Sequence, residues 1–241
     1  GQNVTLTNTS NDFQQEVKLV GANIEIVDTN GIDLGASTVT GIYKVTAGGA
    51  VIDSGTQEIT GVITITAGSS NNITLNSSTN NFAATVKVAS GNNVAITDED
   101  TIDLGDSTVS GTYAITTSAG DITDSGALAI ASTSTFTTNG DGADIKLNTT
   151  TNRFTGADTV NTTGTGGDAE IHGGSIPLGI IASGEVGTLK LTTTGADITD
   201  EGALVVLGAT TIDAGGADVT LNHGSSNLQG AVEVSGRNVS M

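Results

Sequence analysis

The sequence contains no cysteine and no tryptophan, and it has a single proline, Pro177, among 241 residues. Without cysteine, the chain has no disulfide, no thiolate nucleophile and no zinc–thiolate cluster. Aromatic residues make up only 2% of the chain, so a conventional globular core built on large side chains would be poor. No apolar run approaches the roughly 18 residues that a membrane-spanning helix needs. Membrane insertion is therefore not expected.

Positive charge is also scarce. Seven Lys and Arg residues stand against 26 Asp and Glu residues, which gives a formal net charge of −19. Nucleic acids and anionic membranes are not expected partners, because both would be repelled by such a surface. The chain begins without Met and without a signal peptide. We expect it to be a mature or excised segment of a longer protein.

Small aliphatic residues alternate with polar residues along most of the chain. Hydrophobic residues make up 36% of the sequence, which argues against disorder. In pairs such as Ile63/Ile65 and Ile73/Leu75, every second residue is apolar. This period of two predicts short β-strands with one row inside and the other row in solvent. The remaining Thr, Ser, Asn, Asp and Gly residues are typical of strands and turns.

One motif recurs along the chain. The stretch 72–82 reappears at 3–13, 144–154 and 218–228, so the starts are 69, 72 and 74 residues apart. A period that drifts within polar stretches indicates stacked repeats with loops of variable length. We interpret residues 1–241 as one continuous solenoid domain. Its long repeats cover about 1–61, 62–131, 132–207 and 208–241.

Each long repeat divides into three units. In the second repeat these are unit A (62–82), unit B (86–104) and unit C (113–130), each with three short strands. If each unit is one coil, its strands stack in parallel on those of the next coil. This predicts an all-β parallel β-helix (β-solenoid) of about eleven coils and ~50 Å. Equivalent motifs would then lie three coils, or ~14 Å, apart.

Three motifs carry a family resemblance. They are Asn72-Ile-Thr-Leu75 with Asn80-Asn-Phe82, Ile102-Asp-Leu-Gly-Asp-Ser-Thr-Val-Ser-Gly111, and Asp121-Ile-Thr-Asp-Ser-Gly-Ala-Leu128. Together they resemble the repeat region of filamentous-haemagglutinin-like exoproteins, which are exported by two-partner secretion or as autotransporter passengers. The resemblance implies a right-handed parallel β-helix, an extracellular or outer-surface location in bacteria, and a role in adhesion, biofilms or surface fibres. The chain has no Arg-Gly-Asp tripeptide and few basic residues, so the activities of the heparin-binding, Arg-Gly-Asp-bearing members are not carried over.

An acidic stretch supplies the candidates for a metal site. Asp98, Asp100, Asp103 and Asp106 lie close in sequence, and carboxylate oxygens are calcium ligands. The alternative is a solvated turn, and the glycine- and aspartate-rich nonapeptide of calcium-binding solenoids is absent. Apart from this possible calcium ion, no cofactor is expected.

The Asp-Ser-Gly or Asp-Glu-Gly turns beginning at Asp53, Asp124 and Asp200 recur once in each repeat. We interpret each carboxylate as bonded to the backbone of its own turn, with the glycine at a positive φ.

Two further features predict local departures from the repeat. Pro177 replaces the Asp of Ile-Asp-Leu and lacks a backbone donor, so its coil should carry an irregularity or bulge. The glycine-rich stretch 164–167 is expected to be a protruding or flexible loop.

No catalytic residues are predicted, and the chain is not expected to be an enzyme. Carboxylates are plentiful, but few Lys or Arg residues are present to stabilise an anion. His172 and His223 lie in glycine-rich stretches without an evident partner. The outward threonines, such as Thr64, Thr66 and Thr74, suit glycan or ice binding. However, Thr is also an ordinary solvent-side residue of strands.

The sequence therefore predicts a structural, non-catalytic rod segment of a secreted or cell-surface bacterial adhesin or fibre. One alternative is a subunit that polymerises into an extracellular filament or biofilm matrix fibre by end-to-end β-stacking. Another is a carbohydrate-binding or carbohydrate-cleaving β-helix. The expected partners are further copies or flanking segments of the solenoid stacked on its ends, and possible additional ones are host or matrix glycans.

Overall fold

A computed structural model describes residues 1–163, 166–174 and 176–241 of the chain. Within these ranges the protein is built from short strands and turns. No helix there is long and apolar enough to span a membrane. Residues 164 and 165, which belong to the predicted loop at 164–167, lie outside the described residues.

Two long parallel sheets run along the molecule, with strands numbered in chain order. Sheet A contains β1 (Val4–Leu6), β3 (Ile24–Asp28), β6 (Tyr43–Ala47), β9 (Ile63–Thr66), β12 (Val86–Ser90), β14 (Ile102–Leu104), β17 (Ile122–Asp124), β20 (Ile145–Leu147), β23 (Ala169–Gly173), β25 (Leu189–Thr193), β28 (Thr210–Asp213) and β31 (Val232–Ser235). Sheet B contains β4 (Ile32–Leu34), β7 (Val51–Asp53), β10 (Ile73–Leu75), β13 (Val94–Asp98), β16 (Tyr113–Thr117), β19 (Ser134–Thr138), β22 (Asp158–Thr162), β24 (Ile176–Val186), β26 (Ile198–Asp200), β29 (Val219–Thr220) and β32 (Val239–Ser240).

Shorter strands close the coils at their corners. Sheet C contains β2 (Val20–Gly21), β5 (Ser37–Val39), β8 (Gln57–Ile59) and β11 (Asn81–Phe82). Sheet D contains β15 (Ser107–Val109), β18 (Leu128–Ile130) and β21 (Arg153–Phe154). The strands β27 (Leu204–Val206) and β30 (Asn227–Leu228) pair with each other, and β27 also pairs with β24. The predicted parallel β-solenoid of about eleven coils is confirmed.

The core is a narrow apolar column between the sheets. Alternate residues of the long strands are buried, as in β9 and β10, where Ile63, Ile65, Ile73 and Leu75 are all fully buried. Aliphatic side chains of successive coils stack on one another along the ladders, for example Ile73 on Val94. Each strand is too short to be stable alone, so the burial of its inward row depends on the coils above and below.

The prediction of three coils per long repeat is wrong. Seven ladder steps in sheet A separate β6, which begins at Tyr43, from β25, which begins at the matching Leu189 two repeats later. Two repeats therefore make seven coils, and one repeat makes three and a half. The extra half coil comes from β15 (Ser107–Val109), which lies between the predicted units B and C, so that four strands, β12 to β15, precede unit C.

The half coil moves each motif to the other long sheet in the next repeat. It also moves the short corner strand. The sheet C strands β5, β8 and β11 each follow a sheet B strand along the chain, whereas the sheet D strands follow sheet A strands. Equivalent motifs of neighbouring repeats consequently do not stack in one column.

The irregularity predicted at Pro177 is confirmed. In the ladder between β22 and β24, Asp158 pairs with Leu178 but Val160 pairs with Ile181, so the register shifts after Leu178, the residue next to Pro177. Proline cannot donate a ladder hydrogen bond, and a shifted register is where a strand tolerates it.

Candidate functional site: acidic turns and the two outward faces

The first metal candidate, Asp98, points into the solenoid. It lies at the end of β13 and is fully buried. Its carboxylate accepts hydrogen bonds from the backbone N–H groups of Phe82 and Asp100, each at 2.8 Å. Burial raises the pKa of Asp98 to about 6, although the two hydrogen bonds oppose that shift. Asp28 makes the corresponding bonds to Phe13 and Asn30 one repeat earlier, so this aspartate joins neighbouring segments of the solenoid.

The other three metal candidates have different surroundings. Asp103 faces outward on β14, and its Oδ2 accepts hydrogen bonds from the hydroxyls of Thr85 and Ser125, both at 2.7 Å. Asp106 Oδ1 accepts from the backbone N–H of Ala127 at 3.0 Å, and Asp100 is exposed. Across 1–163, 166–174 and 176–241, no three His, Asp or Glu side chains are grouped as a metal site requires.

The repeated turn aspartates bind the next coil, so the prediction that they bind their own turn is wrong. Asp124 accepts hydrogen bonds from the backbone N–H of Asn148 at 2.8 Å and from Asn152 Nδ2 at 2.6 Å. Asp53 and Asp200 bind the next coil in the same way. Burial raises the pKa of Asp124 above its usual value, although these hydrogen bonds partly offset the shift.

The glycines of these turns have a different role from the predicted one. Gly55 and Gly126 are not among the glycines with a positive φ. Instead, a Cβ at Gly126 would clash with the backbone nitrogen of Asp106 in the neighbouring coil, and a Cβ at Gly55 would clash with that of Ala36. The glycines therefore allow close approach of two coils.

The sequence interpretation missed the asparagines that complete these turns. Asn80 and Asn152 are fully buried, and their side-chain oxygens accept hydrogen bonds from the backbone N–H groups of Gln57 and Leu128, both at 2.9 Å. Each amide thus bridges an aspartate and a strand of the preceding coil. The recurring Asn two residues before Phe82 and Phe154 was the available signal.

A buried polar pair was also missed. Ser134 in β19 donates a hydrogen bond to the carboxylate of Asp158 in β22 on the next coil, and both residues are buried. Burial raises the pKa of Asp158 to about 8, with the bond from Ser134 opposing the shift. The signal was the position of Asp158, which in the other repeats is occupied by Val17, Val86 or Val232.

The two histidines are in separate parts of the fold. His172 belongs to β23 of sheet A, whereas His223 is exposed in the turn after β29. His223 Nδ1 accepts a weak hydrogen bond from the backbone N–H of Ser225 at 3.4 Å.

The outward face of sheet A carries ion pairs. Lys44 Nζ lies 2.7 Å from Glu25 Oε1, and Lys190 Nζ lies 2.6 Å from Glu170 Oε1. The pKa of Glu170 is lowered, chiefly by the hydrogen bond from Lys190. Such exposed pairs contribute little stability, typically about 0–1 kcal/mol, but they make this face strongly charged.

The outward face of sheet B is different. Over β7, β10, β13, β16, β19 and β22 the outward side chains are small or uncharged; they are Ile52, Thr74, Ala95, Thr97, Ala114, Thr116, Thr135, Thr137, Thr159 and Asn161. We call these ten side chains the neutral face. The two aspartates on its longer strands, Asp98 and Asp158, point inward.

The chain contains three repeats of a known family, and their starting points alternate between the two long sheets. One family model, described as repeats of unknown function (DUF5649), matches residues 21–89, 91–161 and 166–235. The chain belongs to this family. The three DUF5649 repeats begin shortly before β3, β13 and β23, which lie in sheets A, B and A. Neither curated proteins nor solved structures provide a match, and the resemblance to filamentous-haemagglutinin-like exoproteins stays a prediction.

Proposed function

We propose that this chain is a non-catalytic rod segment of a secreted or cell-surface bacterial adhesin or fibre. The observation that carries the proposal is the pair of ladders in sheets A and B, which continue from coil to coil over one apolar column. Ladder hydrogen bonds in a solenoid run along the rod axis. Stretching or bending the rod therefore strains many backbone hydrogen bonds together, and this gives reach and stiffness.

The turns support the same role. Asp53, Asp124 and Asp200 each bind the backbone of the next coil, so the coils are joined at their corners as well as along their strands. A carboxylate that accepts several N–H groups makes charge-assisted bonds. These bonds resist the shearing of one coil over its neighbour, which is what a spacer under load requires.

The partners and the location are part of the proposal. Val232, Val239 and Met241 in the last coil are 42%, 48% and 60% exposed, whereas corresponding residues of inner coils are buried. Further coils, either from the same chain or from a second copy, would cover them. We place the rod outside a bacterial cell, where host or matrix glycans are the candidate ligands, and we assign it no nucleic-acid or membrane partner.

Electron microscopy of the parent protein tests the proposal. Rods of one fixed length that end in a separate domain are expected for a spacer that presents an adhesin. Filaments of indefinite length, with an axial repeat near ~50 Å, would instead favour end-to-end polymerisation of this unit. Compact particles without a rod would contradict both.

A further inference from the structure

Outward residues differ between the two sheets even where the motif is the same. Glu25, Ala95 and Glu170 occupy one motif position in successive repeats, and they lie in sheets A, B and A. The next strand along each ladder contributes Lys44, Ala114 and Lys190 at another shared position, again in sheets A, B and A.

The ion pair of the first and third repeats is thus an alanine pair in the second. Glu25 stacks on Lys44 and Glu170 stacks on Lys190, whereas Ala95 stacks on Ala114. A third motif position shows the same difference between the second and third repeats, with the charged Lys87 in sheet A and the uncharged Thr159 in sheet B. Beyond the first coils, where Lys18 and Asp33 lie on sheet B, these positions carry charge on sheet A and none on sheet B.

The neutral face extends over much of the rod. Among the outward side chains of sheet B that the structure describes, the charged ones lie in the first coils, at Lys18 and Asp33. Beyond β22, the outward positions of the sheet continue with Pro177, Thr199 and Thr220. On a chain with a net charge of −19, a long face without charge needs an explanation other than solubility.

We propose that the neutral face is a lateral interface that binds the neutral face of a second copy of this chain. Two such copies related by a two-fold axis would bring the same patch of each rod together. Their side chains are short, so the two sheets can approach to about the 10 Å spacing of stacked sheets. Because both ladders have the same strand spacing of about 4.8 Å, each coil meets an equivalent neighbour.

The available area suits a weak dimer. The six strands of the neutral face at about 4.8 Å, each about three to five residues wide, give roughly 300–450 Å² per copy. The total of about 600–900 Å² lies below the range for stable specific interfaces, in the range of weak and transient contacts. Since the face has no Trp, Tyr or Arg to act as a hot spot, we expect micromolar affinity.

Charge favours this face over the others. Two copies that meet through sheet A would have to bury its ion-paired Lys and Glu side chains, which is costly. Two copies that meet through the acidic turns would bring like charges together. Contact through the neutral face keeps the carboxylates apart, and the residual long-range repulsion is screened by salt. Association is therefore expected to strengthen as the NaCl concentration rises, unlike association driven by ion pairs.

The sister repeat provides a matched variant. Ala95→Glu together with Ala114→Lys transplants the native Glu25–Lys44 pair onto the neutral face without changing the net charge. Glu25→Ala together with Lys44→Ala is the control on sheet A. In sedimentation velocity of the 241-residue chain, we expect concentration-dependent dimers whose dissociation constant rises at least about tenfold in the first variant and stays within about twofold in the control. Wild-type protein that stays monomeric at millimolar concentration would overturn the proposal, as would an equal loss in both variants.

Cross-linking gives a readout that does not depend on charge. The chain has no native cysteine, so Thr116→Cys on the neutral face and Thr64→Cys on sheet A each introduce one thiol. A short bis-maleimide should link the Thr116→Cys chains into dimers and leave the Thr64→Cys chains as monomers. The reverse pattern would contradict the proposal. A third outcome would also contradict the proposal: the chain stays monomeric, binds a neutral polysaccharide, and no longer binds it in the Ala95→Glu, Ala114→Lys variant. The neutral face would then be a glycan-binding site.

Discussion

Tyr43 and Tyr113 hold the same place in successive repeats but lie in different sheets, Tyr43 at the start of β6 in sheet A and Tyr113 at the start of β16 in sheet B. Both are fully buried, so the core accommodates this tyrosine on either sheet. The outward neighbours differ, Lys44 in one case and Ala114 in the other. A motif returns to the same face only after seven coils, or about 34 Å. Odd and even repeats can therefore carry different surfaces on one backbone.

The inward and outward registers can be tested with two adjacent substitutions. Ile73→Asp places an unpaired carboxylate in the apolar column, where Ile73 is fully buried between Val51 and Val94. We expect a loss of at least about 4 kcal/mol in unfolding free energy, because the charge has no partner. Thr74→Asp points outward and should cost less than about 1 kcal/mol. Equal thermal melts would contradict the register.

The bond between coils at Asp124 should carry measurable stability. Asp124→Ala leaves the N–H of Asn148 and the amide of Asn152 without their acceptor, and we expect a cost of about 2–4 kcal/mol. Asp106→Ala removes a carboxylate with one backbone donor at an exposed site and should cost under about 1 kcal/mol. Urea denaturation measures both, and a milder effect at Asp124 than at Asp106 would be inconsistent with this role.

Stability should fall as the pH rises through the range set by Asp158. Burial raises the pKa of Asp158 to about 8, against about 3.9 in an unfolded chain. Between these values the folded carboxyl retains a proton that the unfolded carboxyl releases, so unfolding becomes more favourable with increasing pH. From pH 6.5 to 8 the loss should be about 2 kcal/mol. Asp98, with a pKa raised to about 6, contributes mainly below this interval.

The apolar counterpart of this pair gives the control. Ser134 and Asp158 in sheet B correspond to Ile63 and Val86 in sheet A, which also follow a buried tyrosine along the ladder. Replacing Ser134 by Ile and Asp158 by Val should remove the decline between pH 6.5 and 8, and it should raise stability at pH 8. A decline that persists in the double variant would assign the titration to another group.

Calcium should leave the melting temperature unchanged. Asp98 and Asp103 already accept two hydrogen bonds each, and they lie on different sheets. Thermal melts in EDTA and in millimolar calcium should therefore agree within about 1 °C. An increase of several degrees that disappears in Asp100→Asn would instead establish a calcium site in the acidic stretch.

Much of the fold was predictable because its signals are local. The alternation in stretches such as Ile63–Ile65 places every second side chain inside, and this depends only on the period of a strand. The recurrence of 72–82 required stacking, since strands of three to five residues are not stable alone. Pro177 marked the irregular coil because proline lacks an N–H group.

What the tertiary structure decided depends on contacts across coils. Asp124 and its donors at Asn148 and Asn152 are more than twenty residues apart, so the local sequence of its own turn does not predict these hydrogen bonds. Whether Ala95 and Glu25 share a face depends on how many coils, including any half coil, the chain completes around the axis between them. That number depends on the geometry of every turn between them, and the four strands β12 to β15 add half a coil. The sequence by itself determined that this chain is a solenoid and which aliphatic side chains enter its core, because both follow from the local period of a strand. The winding of the chain decided which polar side chains are buried with them and which outward side chains lie together.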